Sequence, residues 1–409
     1  MGLFCGIDWA TAHHDAAVID DDGQVVARGR VTNDAAGFAA LLALLAEAGD
    51  SVDDPIPIGI ETDHGLWVAA LRATGRMIYP INPLAASRYR TRYSVSGAKS
   101  DATDAVLLAN IVRTDPGAHR PLPADTDAAQ AIRVLARAQQ DAVWARQQVG
   151  NQVRDLLKEF YPAALAAFAD LEGGLARPDA RTILAAAPTP AQAAKLTPAR
   201  LRRLLIKAGR KRYLDRDVGR LQEVFTDTYL HQPPAIENAM GIHLSALLGQ
   251  FDAACAAADA LAEAAIAHFE QHPDADIITS FPGLGLLAGA RVLAEIGDDR
   301  SRFADARGLK AFAGSAPITR ASGKKIVVLH RYIKNRRLAA VGPIWALASL
   351  RASPGARRHF DTRRAAGDWN HQAQRHLFNR FLGQLHHCLQ TGQLYDEHVA
   401  FPPPLQLAA

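Results

Sequence analysis

The first eighty residues set the tightest limit on what this chain can become. Leu3 to Trp9 is a short apolar run suited to a buried strand, His14 to Ile19 and Gln24 to Val31 repeat it, and Asp21-Asp22-Gly23 signals a tight turn between the last two. An alanine- and leucine-rich helix is expected over Ala35–Ala48, then an apolar strand, I-P-I-G-I-E, over Ile56–Glu61. A helix over Gly65–Thr74 and a strand over Met77–Ile81, stopped by Pro83, complete the series.

Hairpin-linked strands followed by alternating helices and strands describe an α/β domain of the ribonuclease H type. That order places chemistry. Asp8 ends the first strand and Glu61 the fourth, and in this fold those strands are neighbours. Ala98–Thr114 then reads as a helix with Ser100 as its N-cap and an apolar stripe of Val106, Leu107, Ala109 and Ile111. Asp101 and Asp104 stand three apart in its first turn and therefore share a side. Two such aspartates alone read as surface charges favoured by the helix dipole. With Asp8 and Glu61 they make four carboxylates that can converge on one cavity, a crowding that requires cations. Hard oxygen ligands of this kind suit Mg²⁺ or Mn²⁺. Two such ions roughly 3.5–4 Å apart stabilise the attacking and leaving oxygens of an in-line phosphoryl displacement.

Charge is divided unevenly along the chain. Residues 1–66 hold twelve Asp or Glu against two Arg, whereas residues 300–364 hold sixteen Lys or Arg against two Asp. An acidic end suited to cations and a basic end suited to a polyanion make nucleic acid the first partner to consider. Arg88, Arg90, Arg92 and Lys99, interleaved with Tyr89 and Tyr93, read as a loop that grips a nucleic-acid backbone and stacks on bases, or equally as a solvated loop. Three scattered cysteines, Cys5, Cys255 and Cys388, suggest neither a zinc site nor a disulfide framework. With no apolar run long enough to cross a bilayer and no secretory signal, a reducing cytoplasm and no membrane partner are expected.

From Asp125 to Phe160 the pattern becomes helical throughout. One heptad register puts Ile132, Gln139, Arg146, Val153 and Phe160 on one seam position and Leu135, Ala142, Val149 and Leu156 on the other. A dimerising spacer and an ordinary packed helix pair are both compatible with it. Residues 162–195 suggest short helices and loops, and Leu196–Leu230 a basic helical face. A further helix is expected over Ile236–His268.

The last region opens with Ile277–Asp298, in which Gly283 and Gly285 head an apolar helix. That spacing suggests a helix-hairpin-helix turn whose small residues admit a DNA phosphate to backbone N–H groups. In Ala311–Leu338, Ser322 precedes Gly323 and is flanked by Arg320, Lys324 and Lys325, with Arg331 beyond. A serine hydroxyl attacks phosphorus only if it is deprotonated or the phosphate is polarised, and flanking cations serve the second need. Ser315, in A-G-S-A-P, is the competing candidate. The later histidines, His371, His376, His386 and His387 among them, read as helix residues without ligand spacing. The expected divisions are 1–122, 123–275, 276–400 and a loosely held tail at 401–409.

With these residues in view, the chain resembles the insertion-sequence 110 family of DEDD transposases, relatives of the Piv invertase, almost end to end. G-I-D-W-A around Asp8, I-G-I-E-T around Glu61 and K-S-D-A-T-D-A around Asp101 and Asp104 resemble the family's four carboxylates. F-P-G-L-G, A-E-I-G-D, A-G-S-A-P and A-S-G resemble its C-terminal transposase domain. The resemblance implies a RuvC-like N-terminal domain, a helical spacer that assembles subunits, and a mainly helical C-terminal domain in which Ser322 attacks DNA to form a covalent intermediate. It further implies donor and target DNA as substrates, Mg²⁺ on the carboxylates, a structured bridge RNA as guide, and dimers that assemble to a tetramer with serine and carboxylates from different subunits. Nucleoid association when bound to DNA follows from the same resemblance. In place of the family's Lys/Arg-Gly-Asn turn, this chain has Lys334-Asn335-Arg336-Arg337-Leu338 without the glycine. The rival enzyme reading is a metal-dependent nuclease of the junction-resolvase type with water as nucleophile. Sugar-kinase-like ATPases share the opening pattern but need glycine-rich phosphate loops, which are not found in this sequence; a non-catalytic nucleic-acid scaffold is the remaining class.

Overall fold

A computed structural model describes residues 2–93, 101–323 and 325–402. It divides into two compact units, 1–124 and 125–409.

In the first unit, β1 (Phe4–Trp9), β2 (His13–Ile19) and β3 (Val25–Thr32) are followed by α1 (Ala35–Ala48), β4 (Ile58–Ile60), α2 (Leu66–Ala73), β5 (Ile78–Pro80), α3 (Pro83–Tyr93) and α4 (Asp101–Thr114). The five strands lie in the order β3-β2-β1-β4-β5. The first three are antiparallel hairpin neighbours, whereas β4 pairs parallel to both β1 and β5. Alternation along β1 separates two cores. Cys5 and Ile7 face α1 and α2 through Leu41, Leu45, Trp67 and Leu71, while Phe4 packs with α4 against Leu107, Leu108 and Ile111.

Gly6 and Gly59 explain how closely α4 lies on the sheet. A Cβ on Gly6 would collide with the backbone of Ala105 and Ala109, and one on Gly59 would come within 2.8 Å of the Leu108 carbonyl. Gly6→Ala is therefore expected to cost about 3 kcal/mol by pushing α4 off β1, measured as a shift of the urea midpoint of the full chain. An unshifted midpoint would mean that α4 tolerates the displacement.

One expectation fails in this unit. Arg88 and Arg90 lie on a helix, α3, not in a loop. Pro83 stops the strand but also opens a helix, because its fixed φ suits a first helical turn and the Asn82 side chain accepts the Leu84 N–H (2.8 Å).

The second unit opens with α5 (Asp127–Phe160). Short helices α6 (Pro162–Phe168), α7 (Pro178–Ala186), α8 (Pro190–Ala193), α9 (Pro198–Lys207) and α10 (Leu214–Thr226) precede the long α11 (Pro234–Glu270). Then come α12 (Ala275–Thr279), α13 (Leu286–Ile296), α14 (Ala306–Phe312), the hairpin β6 (Ile318–Ser322) and β7 (Lys325–Leu329), α15 (Arg336–Ala352), α16 (Pro354–Ala365), α17 (Asn370–Thr391) and α18 (Glu397–Ala400). Helices α5 and α11 run antiparallel: Ile132 and Phe269 share one core, Gly150 abuts Phe251, and Gln232 donates to the Glu159 carbonyl (3.1 Å).

This helix pair links two separate hydrophobic cores. One end packs Val153, Leu157 and Phe160 with α6–α10; the other packs Ile132 and Ala136 with Phe281, Trp345 and Phe381 of the C-terminal helices. The partner of the heptad seam is thus α11 of the same chain. Gln139, the polar seam residue, is buried and accepts from Arg291 of α13 (3.1 Å). Phe401, expected in a loose tail, is buried in the C-terminal core.

Candidate active site

Strand register brings the first two carboxylates together. Ile7 pairs with Ile60, so Asp8 and Glu61 occupy the next step of two adjacent parallel strands. The period of two turns Asp8 to the same face as Gly6, which is the α4 face, and extends Glu61 the same way from Gly59. Helix α4 runs antiparallel to β1. Its last turn reaches the start of the sheet, where Arg113 Nη1 donates to the Asp21 carbonyl (2.7 Å) and Asp21 accepts the Gly2 N–H (2.6 Å). Its first turn therefore lies at the end of β1 and β4 that Asp8 and Glu61 occupy.

Asp104 sits in that first turn, buried, and accepts from Arg90 of α3 through both Nε (3.1 Å) and Nη2 (2.6 Å). Arg90 is thus engaged with a carboxylate of the site. The side chains of Asp101 and Arg92, and Ser100 and Lys99 altogether, lie outside the described residues. Arg88 is exposed on α3. Sequence reasoning missed Asp15, which faces Asp8 directly across the β1–β2 pair and holds Arg30 in a two-point contact (2.9 and 3.0 Å). Nothing in H-H-D-A-A-V-I marks it; only the register does.

Among the described residues no three His, Cys, Asp or Glu side chains lie close enough together to hold a metal ion. The chemistry of the donors nevertheless fits a hard divalent cation, since Asp8, Glu61 and Asp104 offer carboxylate oxygens alone. The cysteines offer no thiolate alternative. All three are buried, and burial pushes the Cys5 thiol up to about 12 and raises those of Cys255 and Cys388.

The second unit separates the two candidate serines. Ser322 is the last residue of β6, exposed, and pairs in register with Lys325 across the tip of the hairpin. Gly323 in the tip has φ +56°, a conformation that favours glycine. Arg320 and Lys325 are exposed on the two strands, while Lys324 lies outside the described residues. Ser315 is buried, and its hydroxyl donates to Asn379 Oδ1 (2.8 Å). Its neighbour Gly314, φ +74°, leaves room for the stem of Lys334. The A-G-S-A-P block is therefore a packed turn. Ser315→Ala should cost about 1 kcal/mol by removing the hydroxyl that pairs with the half-buried Asn379 amide, checked by thermal unfolding.

Gly283 does not present its backbone to a ligand. At φ +83° it lies against α15, where a Cβ would come within 2.5 Å of the Ser349 nitrogen, and Trp345 Nε1 donates to the adjacent Pro282 carbonyl (3.0 Å). Gly285, by contrast, is exposed and has nothing within 4 Å of its Cβ position. Arg331 donates to the Ala316 carbonyl (3.2 Å) at the base of the hairpin. In the Lys334-Asn335-Arg336 turn that lacks the family's glycine, Asn335 caps α15 by accepting the Leu338 N–H (2.8 Å) and also donates to Glu295 (2.6 Å). Glu295 in turn takes a two-point contact from Arg137 of α5 (2.8 Å each), so A-E-I-G-D anchors the helix pair.

Comparison with known proteins bears on this arrangement. Residues 5–162 match the DEDD-type family model described as "Transposase", and residues 275–361 the model described as "Transposase IS116/IS110/IS902 family". The "Mini-circle putative transposase for IS117" of Streptomyces coelicolor is 62% identical over 409 residues, covering 100% of this chain and 99% of that protein. The "Insertion element IS900 uncharacterized 42 kDa protein" of Mycobacterium paratuberculosis is 28% identical over 412 residues, covering 100% and 99%. The "Insertion element IS110 uncharacterized 43.6 kDa protein" of Streptomyces coelicolor is 28% identical over 424 residues, covering 100% and 98%. With both models matched and a relative of such identity over its full length, the chain belongs to the IS110 family of transposases.

Proposed function

We propose that this transposase cuts and rejoins DNA strands with two sets of groups, a RuvC-like carboxylate site in the first unit and Ser322 in the second. The observation that carries the proposal is the convergence of Asp8, Glu61 and the first turn of α4 on one end of a sheet ordered β3-β2-β1-β4-β5. That strand order supports the ribonuclease H-type reading. Asp8, Glu61, Asp101 and Asp104 would hold Mg²⁺ or Mn²⁺, which when bound polarises the scissile phosphodiester and neutralises its developing charge.

Ser322 displaces one ester oxygen at phosphorus. The released strand end leaves as a hydroxyl, and the serine ester keeps the bond available for rejoining to another strand. Arg320 and Lys325 beside it, with Lys324 by sequence, favour the negative charge that builds on the phosphate. Gly285, at the exposed head of α13, offers backbone N–H groups to a neighbouring phosphate. A structured bridge RNA selects donor and target sequences by base pairing, and dimers assemble to a tetramer in which one subunit's serine serves another's carboxylates. The site of action is the bacterial cytoplasm, at the nucleoid.

The deciding experiment is to incubate the RNA-loaded protein with end-labelled donor DNA and Mg²⁺, then digest it and identify any nucleotide-bearing peptide. A phenol-resistant adduct on the peptide containing Ser322 is expected. Cleavage without an adduct would instead favour a nuclease that uses water.

A further inference from the structure

At the base of the β6–β7 hairpin lies a cavity of about 510 Å³ whose lining contains Lys334, Arg375, His330, His371 and Gln372 and no carboxylate. Lys334 Nζ approaches His330 Nε2 (3.0 Å), and Arg375 Nη1 approaches His330 Nδ1 (3.4 Å). Two cations thus flank one imidazole, and among the described residues neither has a carboxylate partner. Asp368, whose field reaches Arg375, accepts its hydrogen bond from Arg363 Nε (2.6 Å). Loss of hydration together with Lys334 and Arg375 holds the His330 imidazole below its ordinary pKa.

The cradle is held in shape before any ligand arrives. The Lys334 stem lies flat over Gly314, where no Cβ could fit, and this directs the ammonium into the cavity. At the rim Tyr332 is 82% exposed and packs edge-on against His330 (5.6 Å), leaving a face on which a base can stack. Two cations converging on one half-open cavity raise the local concentration of anions there. A cation pair beside an exposed aromatic suits a nucleic-acid phosphate better than a free ion.

We infer that this cavity is a clamp for a phosphate of the DNA strand that Ser322 attacks, which rests on the assignment of Ser322 as nucleophile. Ile318 pairs with Leu329 at the hairpin base and Ser322 with Lys325 at its tip. Four residues of strand span about 13 Å, or roughly four nucleotide steps of one DNA strand. The clamp therefore grips the strand a few nucleotides from the reacting bond and fixes its direction along the hairpin.

The test uses the full RNA-loaded chain and labelled duplex DNA over a salt titration. Each lost phosphate contact lowers the slope of log affinity against log salt by about 0.9. The double variant Lys334→Gln, Arg375→Gln should lose about one such step and bind DNA roughly tenfold more weakly, with RNA retention unchanged. Lys334→Arg, Arg375→Lys should keep the wild-type slope. An unchanged slope in the Gln variant overturns the clamp, as does a loss confined to RNA. In the wild-type chain, which needs no substitution, DNA should shield Lys334 several-fold from reductive methylation, and an unshielded Lys334 is equally fatal. Ser322→Ala separates this idea from the one beneath it. That variant should keep the slope and lose the adduct; an adduct that survives, with the Gln slope still reduced, would remove the serine assignment and leave the clamp standing.

Discussion

Ser322→Ala is expected to lower strand exchange by about four orders of magnitude or more while leaving stability within about 0.5 kcal/mol of the wild type. The two halves of that expectation have different origins. Ser322 is exposed at a hairpin tip, so removing its hydroxyl opens no cavity and, among the described residues, orphans no partner. Chemistry alone should register the loss. Ser315→Ala supplies the contrast, because that hydroxyl is buried and committed to Asn379. If Ser322→Ala still formed a covalent adduct at normal rates, the attacking atom would lie elsewhere. The measurement is a single-turnover time course on a nicked donor that traps the intermediate, with thermal unfolding of each variant alongside.

The Arg90–Asp104 pair should produce the second large effect. Asp104→Asn keeps an acceptor for Arg90 but removes the charge that a divalent ion requires, so strand exchange should fall about a thousandfold with little loss of fold. Arg90→Gln does the reverse and leaves a buried carboxylate without its counter-charge, at a cost of about 3 kcal/mol. In the double variant most of that cost should vanish, giving a coupling of about 2 kcal/mol. Mg²⁺ should restore part of the stability of Arg90→Gln, because a cation near Asp104 replaces the missing guanidinium. Strictly additive unfolding energies, or an Arg90→Gln protein indifferent to Mg²⁺, would show that Asp104 does not depend on positive charge.

What is legible in the sequence follows from what is local. The five strands and α4 announce themselves by apolar period and turn residues, which is why Asp8, Glu61 and Asp104 can be expected at one end of a sheet. Asp15 cannot, because its place opposite Asp8 depends on hairpin register. Arg90 looks like a free nucleic-acid contact in R-Y-R-T-R-Y, and only the packing of α3 beside α4 commits it to Asp104. The heptad from Ile132 to Phe160 is plain to read, but its partner lies in α11, far along the chain, so the pattern alone does not choose between another subunit and another segment. Gly283 marks a turn correctly, yet the cause is the backbone of α15 pressed against it, a contact that no spacing of glycines encodes.

The antiparallel pairing of α5 and α11 also sets an order of events during synthesis. Helix α5 has 34 residues and spans about 50 Å, and it leaves the ribosome with both of its ends unpartnered. Its distal end acquires a core as soon as α11 follows, because α6–α10 lie between them in sequence. Its proximal end must wait, since Ile132 and Ala136 belong to a core that, among the described residues, reaches as far as Ala400 and Phe401. Helices α14 and α15, which flank the hairpin that bears Ser322, belong to that late-closing core through Leu309 and Leu338. A translation product that ends before Phe401 keeps every proposed carboxylate but lacks that closing side chain. Premature termination would release a chain with an assembled sheet and an unsealed serine-bearing end.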